Sequence, residues 1–457
     1  MRVQNFIAAM LVLANAPLAL RAQKDVAAKV CTIRETTFKG WQAEEVANSW
    51  VQLMIVPQLG GRLMQVTFNQ HPYLFVNPKY EGKYISPEQA AGRWINYGGD
   101  KIWPLPEGND DEQHWTGAST PLDDGAYKFS IVSQENRCTV RLDGPLDPPT
   151  GLQYSREISI SSDSPQIDFH AITHNGTGHT INWSVQSVSQ YDLADPAAPN
   201  GFNHNFWAFT PVNPQSSYLN SYHVRDGLAN DPSFSVKSGL FRLHWRYIES
   251  EVWIDSQAGW LAVVDGTNKY AMVEKTRYFA NETYPDKATM IFYKNGPTVE
   301  LDAQGMPHVS RAGTEDTPYY MEAEMNSPMA ELGPGQTCTM DSHWFPTRLA
   351  RDFHTVTDAG AVGSPLSVSR QGDELVLTGS FGVFFPGSLE AILYDEGGAE
   401  QGRVTLQTVS PADLLDLHRS IPAYAKIARV SLHLIDNNHA DRGALGEAFI
   451  AGADTAP

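Results

Sequence analysis

The sequence predicts an all-β protein, a large antiparallel sandwich followed by a smaller one. Three observations predict it. Short runs of alternating or continuous apolar residues recur along the chain, among them Val51–Val56, Arg62–Phe68, Gln153–Ile160, Gln166–Thr173 and Thr180–Gln190, as strands with one or two buried faces would. Turn-forming stretches separate them: Pro57-Gln58-Leu59-Gly60-Gly61, Asp143-Gly144-Pro145, Ser164-Pro165 and Asn175-Gly176,. No long run repeats at the helical period, and no strand–helix alternation of an α/β protein is present,.

In order, residues 1–23 read as a secretory signal. Met1-Arg2 is a positive start, Phe6 to Leu20 is apolar but too short to span a bilayer, and Leu20-Arg21-Ala22-Gln23 ends in small and polar residues,. A periplasmic or secreted mature chain is expected, and no later run has the length of a membrane span. Residues 24–350 form the larger domain. After Val51–Val56 and Arg62–Phe68 come strands at Tyr73–Val76, Tyr127–Ser133 and Cys138–Leu142, and then the series given above. Residues 195–240, rich in Asn, Pro and Ser, read as an irregular lid-like segment. Strands resume at Trp260–Val264, Ala271–Lys275, Thr289–Lys294, Tyr319–Met325 and Thr337–Trp344. Residues 351–364 read as a linker, and 365–457 as an immunoglobulin-like accessory β-sandwich. That sandwich would carry one short helix, N-capped by Ser410 with Pro411 at its first position and Leu414, Leu415 and Leu417 on its apolar face.

Composition limits the partners. A net charge of −19 argues against bulk binding to nucleic acid or to an anionic membrane surface. Cys31, Cys138 and Cys338 have neither CxxC nor zinc spacing. An exported chain could close one disulfide, and Cys138 and Cys338, in strand-like sequence, read as buried thiols. No phosphate-loop, dinucleotide, metalloprotease, serine-hydrolase or EF-hand pattern occurs, so no cofactor or metal is expected. Asp110-Asp111-Glu112 and Asp436–Asp441 contain oxygen ligands for calcium but read as solvated loops. His114, His170, His174, His179, His204 and His343 lack metal-ligand spacing.

Two stretches carry candidate chemistry. Arg93-Trp94-Ile95-Asn96-Tyr97-Gly98-Gly99-Asp100-Lys101-Ile102-Trp103-Pro104-Leu105-Pro106-Glu107 reads as a stiff loop, since its glycines and prolines oppose both helix and central strand. It displays aromatic faces for the C–H side of a sugar ring, and charged and amide groups for its hydroxyls. Glu322-Ala323-Glu324 puts two carboxylates on one strand face, roughly 7 Å apart. Repulsion there raises at least one pKa, which suits acid/base work.

These stretches resemble the galactose mutarotase-like superfamily. Gly60-Gly61-Arg62-Leu63 resembles that fold's early glycine turn. Gly98-Gly99-Asp100-Lys101-Ile102-Trp103-Pro104 resembles the Gly-Gly-x-Pro-x-x-Trp-Pro loop of its hexose-phosphate epimerase branch. Met321-Glu322-Ala323-Glu324-Met325-Asn326-Ser327-Pro328 resembles the aldose epimerase segment Leu-Glu-x-Gln followed by proline, whose glutamate is the catalytic base. The match to a secreted bacterial branch with an Asn-Tyr/Trp-Gly-Gly-Asp-Lys loop is closer still. The resemblance covers roughly residues 35–348 and implies a β-supersandwich with a sugar cleft on a concave face. It implies Glu322 as base, with Glu324 tuning it. Asp100 and Lys101 would bind hydroxyls or supply the acid. Arg62, Trp94, Asn96, Tyr97, Trp103, Glu107, His114 and Gln190 would line the cleft. The chain departs from the family at the acid. In an aldose epimerase a strand histidine protonates the ring oxygen, but Thr180–Gln190 contains none, leaving His114, His204 or Lys101 as replacements.

The leading expectation is an exported carbohydrate-active protein. A polysaccharide lyase or glycoside hydrolase on the same scaffold is an alternative. A lyase would use Arg62, Arg93 or Lys101 to neutralise a uronate and Tyr97, Tyr191 or His204 as base. A non-catalytic glycan-binding protein is the third reading. One distance bears on all three: Glu322 and the Asp100-Lys101 pair must lie within roughly 12 Å to meet one sugar ring.

Overall fold

The computed structural model describes residues 30–108, 113–115, 117, 119–311, 319–350, 352–423 and 427–450. The expected signal segment, residues 1–23, and the acidic run Asp110-Asp111-Glu112 lie outside them. Among the described residues strands far outnumber helices, and they pair in antiparallel sheets.

Two large sheets stack face to face. Ten strands of the first follow the order Thr32–Phe38, Trp41–Ala47, Val51–Val56, Arg62–Phe68, Asp100–Leu105, Ile181–Asp192, Tyr320–Asn326, Met290–Lys294, Ser250–Ile254, His223–Asp226, and two short strands join off this path to make twelve. The second has ten strands, with Trp260–Asp265, Tyr270–Thr276, Thr337–Arg348 and Ile167–Asn175 at its centre. Between them lies one core, including Val66, Val185, Met321, Ala323 and Phe292 from the first sheet and Leu261, Met272, Phe169 and Trp344 from the second. Side chains alternate across a strand, so the residues between these apolar ones point to the other face of the first sheet. The register opposes Lys101 to Val188, Trp103 to Gln186, Gln190 to Glu322 and Glu322 to Tyr293. The outer face of the first sheet is therefore the polar one.

Several expectations are corrected. Asp100–Leu105 is a strand inside the sheet, not a loop. It pairs along its length with Ile181–Asp192 but meets Arg62–Phe68 only at Leu63↔Asp100, so Pro104 sits where one edge carries no ladder. Gly98 and Gly99, both at positive φ, bring the chain in. A Cβ on Gly98 would lie 2.2 Å from the Phe75 carbonyl oxygen, and one on Gly99 2.8 Å from that of Leu63, which only glycine permits. Leu74 and Val76 form isolated bridges rather than a strand. The segment read as lid-like holds the strands Phe206–Pro211, His223–Asp226 and Phe234–Lys237. The expected linker enters the strand Gly360–Gln371. The expected helix is absent: Ser410 and Pro411 lead through a turn into the strand Leu415–Pro422, whose alternating Leu415 and Leu417 face a sheet core. Cys138 is not a thiol but forms a disulfide with Cys31, while Cys338 is free and half-buried.

The C-terminal residues form two four-stranded sheets, Thr355–Val356 with Gly360–Gln371, Glu374–Val383 and Leu415–Pro422, and Glu400–Val409 with Gly387–Tyr394, Arg429–Asp436 and Asp441–Phe449. Their core is continuous with the outer face of the ten-stranded sheet, where Phe209, Trp260, Val264 and Val273 meet Phe353, Phe381 and Phe384.

Candidate functional site

Lys101, Trp103, Gln186, Gln190, Glu322 and Glu324 share the outer face of the twelve-stranded sheet, and the loop before Asp100 walls one side. Lys101 Nζ lies 4.0 Å from Glu322 Oε1, with both side chains buried. The ammonium sits 3.5 Å from the centroid of the Trp103 ring and 4.9 Å from that of Trp94, a cation–π arrangement in desolvated surroundings. It has no hydrogen-bond partner among the described residues. Gln190 Nε2 donates to Glu322 Oε1 at 2.5 Å, and Gln186 Nε2 donates to Glu324. The carbonyl oxygens of both glutamines are buried without a donor among the described residues. Trp94 is partly exposed and edge-on to Trp103.

Burial dominates the titration here. It brings the Lys101 ammonium down to about 8, against the pull of Glu322. Burial also raises the Glu322 carboxyl, which Lys101 and the Gln190 hydrogen bond pull back. Glu324 goes well above the usual carboxylate range through burial and then through Glu322, Glu251 and Glu107. The face thus gathers two carboxyls whose hold on protons is raised and an ammonium whose hold is lowered,.

The sequence did not single out the far side of this face. Glu251 and Trp253 come from Ser250–Ile254, and Arg225 from the edge strand His223–Asp226. Arg225 Nη1 donates to Glu107 Oε2 at 2.7 Å and to Glu251 Oε1 at 3.1 Å, so Glu107 is tied across to the edge strand. The alternation of Glu251 and Trp253 with apolar Val252 and Ile254 was the available signal.

Other expected site residues lie elsewhere. Asp100 is on the opposite face, because it neighbours Lys101 in a strand. It pairs with Arg156 in a polar cluster between the sheets. There Ser189 Oγ donates to Glu274 at 3.3 Å and Tyr191 Oη donates to it at 2.5 Å. Burial pushes Asp100 up to about 6 and Glu274 up to about 8. Arg62 is fully buried, 2.8 Å from Asp123 and 3.2 Å from Asp124; it is a brace beneath the cleft, and its engagement removes it as a uronate neutraliser. Asp123 also accepts the Trp103 indole N–H at 2.7 Å. Arg93 turns back to the Ala90 carbonyl. Tyr97 is buried in a small core under the loop, its hydroxyl satisfied by the Ile85 backbone. Asn96 Oδ1 accepts from Gly98 N–H and shapes the loop. His114 lines a separate depression with Pro106, Asn182 and Glu331. His204 is held at the Pro199 carbonyl. Of the replacements for the missing histidine, Lys101 is the one placed against Glu322.

No family model matches the chain. Its fold is similar to that of solved structures at low identity. One is a galactose mutarotase-like protein from Clostridium acetobutylicum (TM-score 0.45, 11% identity, covering 70% of this chain and 99% of that one). Another is a galactose mutarotase related enzyme from Lactobacillus acidophilus (TM-score 0.41, 11% identity, 67% and 98%). A TPR-domain containing protein from Parabacteroides distasonis matches over 72% of this chain but only 54% of its own length (TM-score 0.44, 13% identity). The structural neighbours of this all-β chain thus include galactose mutarotase-like proteins.

Proposed function

We propose that the outer face of the twelve-stranded sheet is a carbohydrate cleft in which Glu322 and Lys101 exchange protons with one sugar ring. The observation that carries this reading is the 4.0 Å approach of Lys101 Nζ to Glu322 Oε1. A pyranose joins its ring oxygen and its anomeric hydroxyl at one carbon, so two groups this close can each reach one of them. Glu322 takes the hydroxyl proton, and that O–H electron pair becomes the carbonyl of the open chain. The bond from the anomeric carbon to the ring oxygen breaks, and Lys101 gives that oxygen a proton. Closure on the other face of the carbonyl returns both protons. Trp94, the exposed one of the two tryptophans, offers a flat face to the ring,, while Trp103 backs Lys101. The resemblance of the Glu322 and Lys101 segments to epimerase motifs supports the same reading.

The test is anomer exchange followed by NMR across a panel of aldoses and oligosaccharides. Glu322→Gln and Lys101→Met are each expected to lower exchange by about 10²–10⁴-fold while sugar binding persists. Full exchange in both variants removes the assigned roles. Binding without exchange in the unaltered protein makes it a glycan-binding protein instead. Export is part of the proposal; the leader-like start and the Cys31–Cys138 disulfide support it, because disulfides persist in oxidising compartments.

A further inference from the structure

The reading above uses Lys101 and Glu322 and leaves the adjoining part of the same face unexplained. There a small cavity is lined by Glu107, Gln186, Arg225, Glu251, Trp253 and Asn326, among others, beside Glu324. Gln186 spends its N–H on Glu324, which fixes the amide's direction, and its carbonyl oxygen is left buried without a donor. Asn326 Nδ2 donates to the Ala288 carbonyl at 3.0 Å, leaving Oδ1 in the same state. The two side chains are 1% and 3% exposed. The Trp253 indole N–H is taken by Glu251. What remains is a surplus of acceptors, three carboxylates and two amide carbonyls, against one arginine already shared between Glu107 and Glu251.

We propose that this cavity is an ammonium subsite, and that the cleft takes sugars carrying a free amino group in preference to neutral sugars or uronates. The inference rests on the reading of this face as a sugar cleft. An ammonium brings three donors and no acceptor, which suits Gln186 Oε1, Asn326 Oδ1 and a carboxylate, and Trp253 offers it an aromatic face. A uronate would bring acceptors and negative charge to a place that already has too much of both. Burial and then Glu107 push Glu251 up to about 7, and burial and then Glu322 push Glu324 well above the usual carboxylate range. Glu107, Glu322, Lys101, Arg225 and Tyr293 face these two acids, with Asp226 and Asp286 at the rim. An arriving ammonium lowers their hold on protons, so binding releases protons near neutral pH.

The experiment is isothermal titration at pH 7 in two buffers of different ionisation enthalpy. The ligands are matched gluco and galacto series: the neutral hexose, the 2-amino-2-deoxyhexose, its N-acetyl form and the hexuronate, as monosaccharides and as tetramers. The amino sugar is expected to bind at least about tenfold tighter than the hexose and to release protons. N-acetylation is expected to erase that preference, and the uronate to bind weakest. Glu251→Gln is expected to cut the amino-to-neutral affinity ratio at least about fivefold. Equal or tighter binding of the neutral hexose overturns the subsite and leaves the sugar cleft standing. Preference for the uronate also overturns it and favours the lyase reading. Binding of no member overturns both.

Discussion

At the scale of single residues, adjacency in a strand decides roles. Asp100 and Lys101 are neighbours in sequence, yet one faces the inter-sheet core and the other the cleft. Had Asp100–Leu105 been read as a strand, the period of two would have separated them at once; the two prolines argued against it. Glu322, Gln190 and Lys101 were legible because each sits in a strongly patterned strand or a recognisable motif. Asp100 and Glu274 lead to a prediction about pH. Burial raises both folded-state values, to about 6 and about 8, above the ordinary carboxylate values near 4 of an unfolded chain. Between those limits the folded chain holds more protons than the unfolded one, so their contribution favours folding at low pH and is lost as pH rises from about 4.5 to 8. Glu274→Gln is expected to flatten this part of the profile and to raise Tm at pH 8 relative to the unaltered protein. Parallel Tm–pH curves for the two proteins would rule out Glu274 as the source.

At the scale of elements, the cleft wall is fastened from below. Gly98 and Gly99 let the loop cross the Leu63 and Phe75 backbones, and Arg62 ties the short helix Pro121–Asp124 to the sheet through two carboxylates. Asp123 then holds Trp103 by its indole N–H, so an ion pair indirectly sets the ring against which Lys101 rests. Buried carboxylates stripped of their cation cost about 3–5 kcal/mol. Arg62→Met is expected to destabilise the protein by that much in urea unfolding. A loss under about 1 kcal/mol would mean that Asp124 simply takes up a proton, a route left open by its rise to about 7 through burial and its neighbour. The Arg62–Asp123–Asp124 group was not readable from the sequence, because nothing local links residues so far apart. The same holds for Glu251, Trp253 and Arg225. Their strands were short and their place depended on long-range register, which local pattern does not carry.

At the scale of the whole molecule, the layers run in a fixed order: polar outer face, twelve-stranded sheet, shared core, ten-stranded sheet, C-terminal sandwich. The all-β class was legible because alternation and turn residues are local signals. The union of the two sandwiches was not, since Phe345 on Phe384 at 4.4 Å and Phe209 on Phe353 at 4.7 Å join residues that look like ordinary core. The Cys31–Cys138 disulfide closes a separation of 107 residues, pinning the start of the described chain to the ten-stranded sheet. Protein recovered from outside the cytoplasm is expected to begin near Lys24 and to contain this bond. Its reduction is expected to lower stability by about 2–4 kcal/mol. A cytoplasmic, uncleaved chain with both thiols free would end the export reading.

The stacking order has one more consequence. Because the C-terminal sandwich covers the outer face of the ten-stranded sheet, the molecule has two unlike poles, one formed by that sandwich and the other by the polar face that carries Glu322. A bead, a cell surface or a partner enzyme attached to the C-terminal pole would leave the opposite pole pointing away from the support. A long glycan chain, the ligand proposed for that face, would then lie across the free pole without being crowded by whatever holds the protein in place.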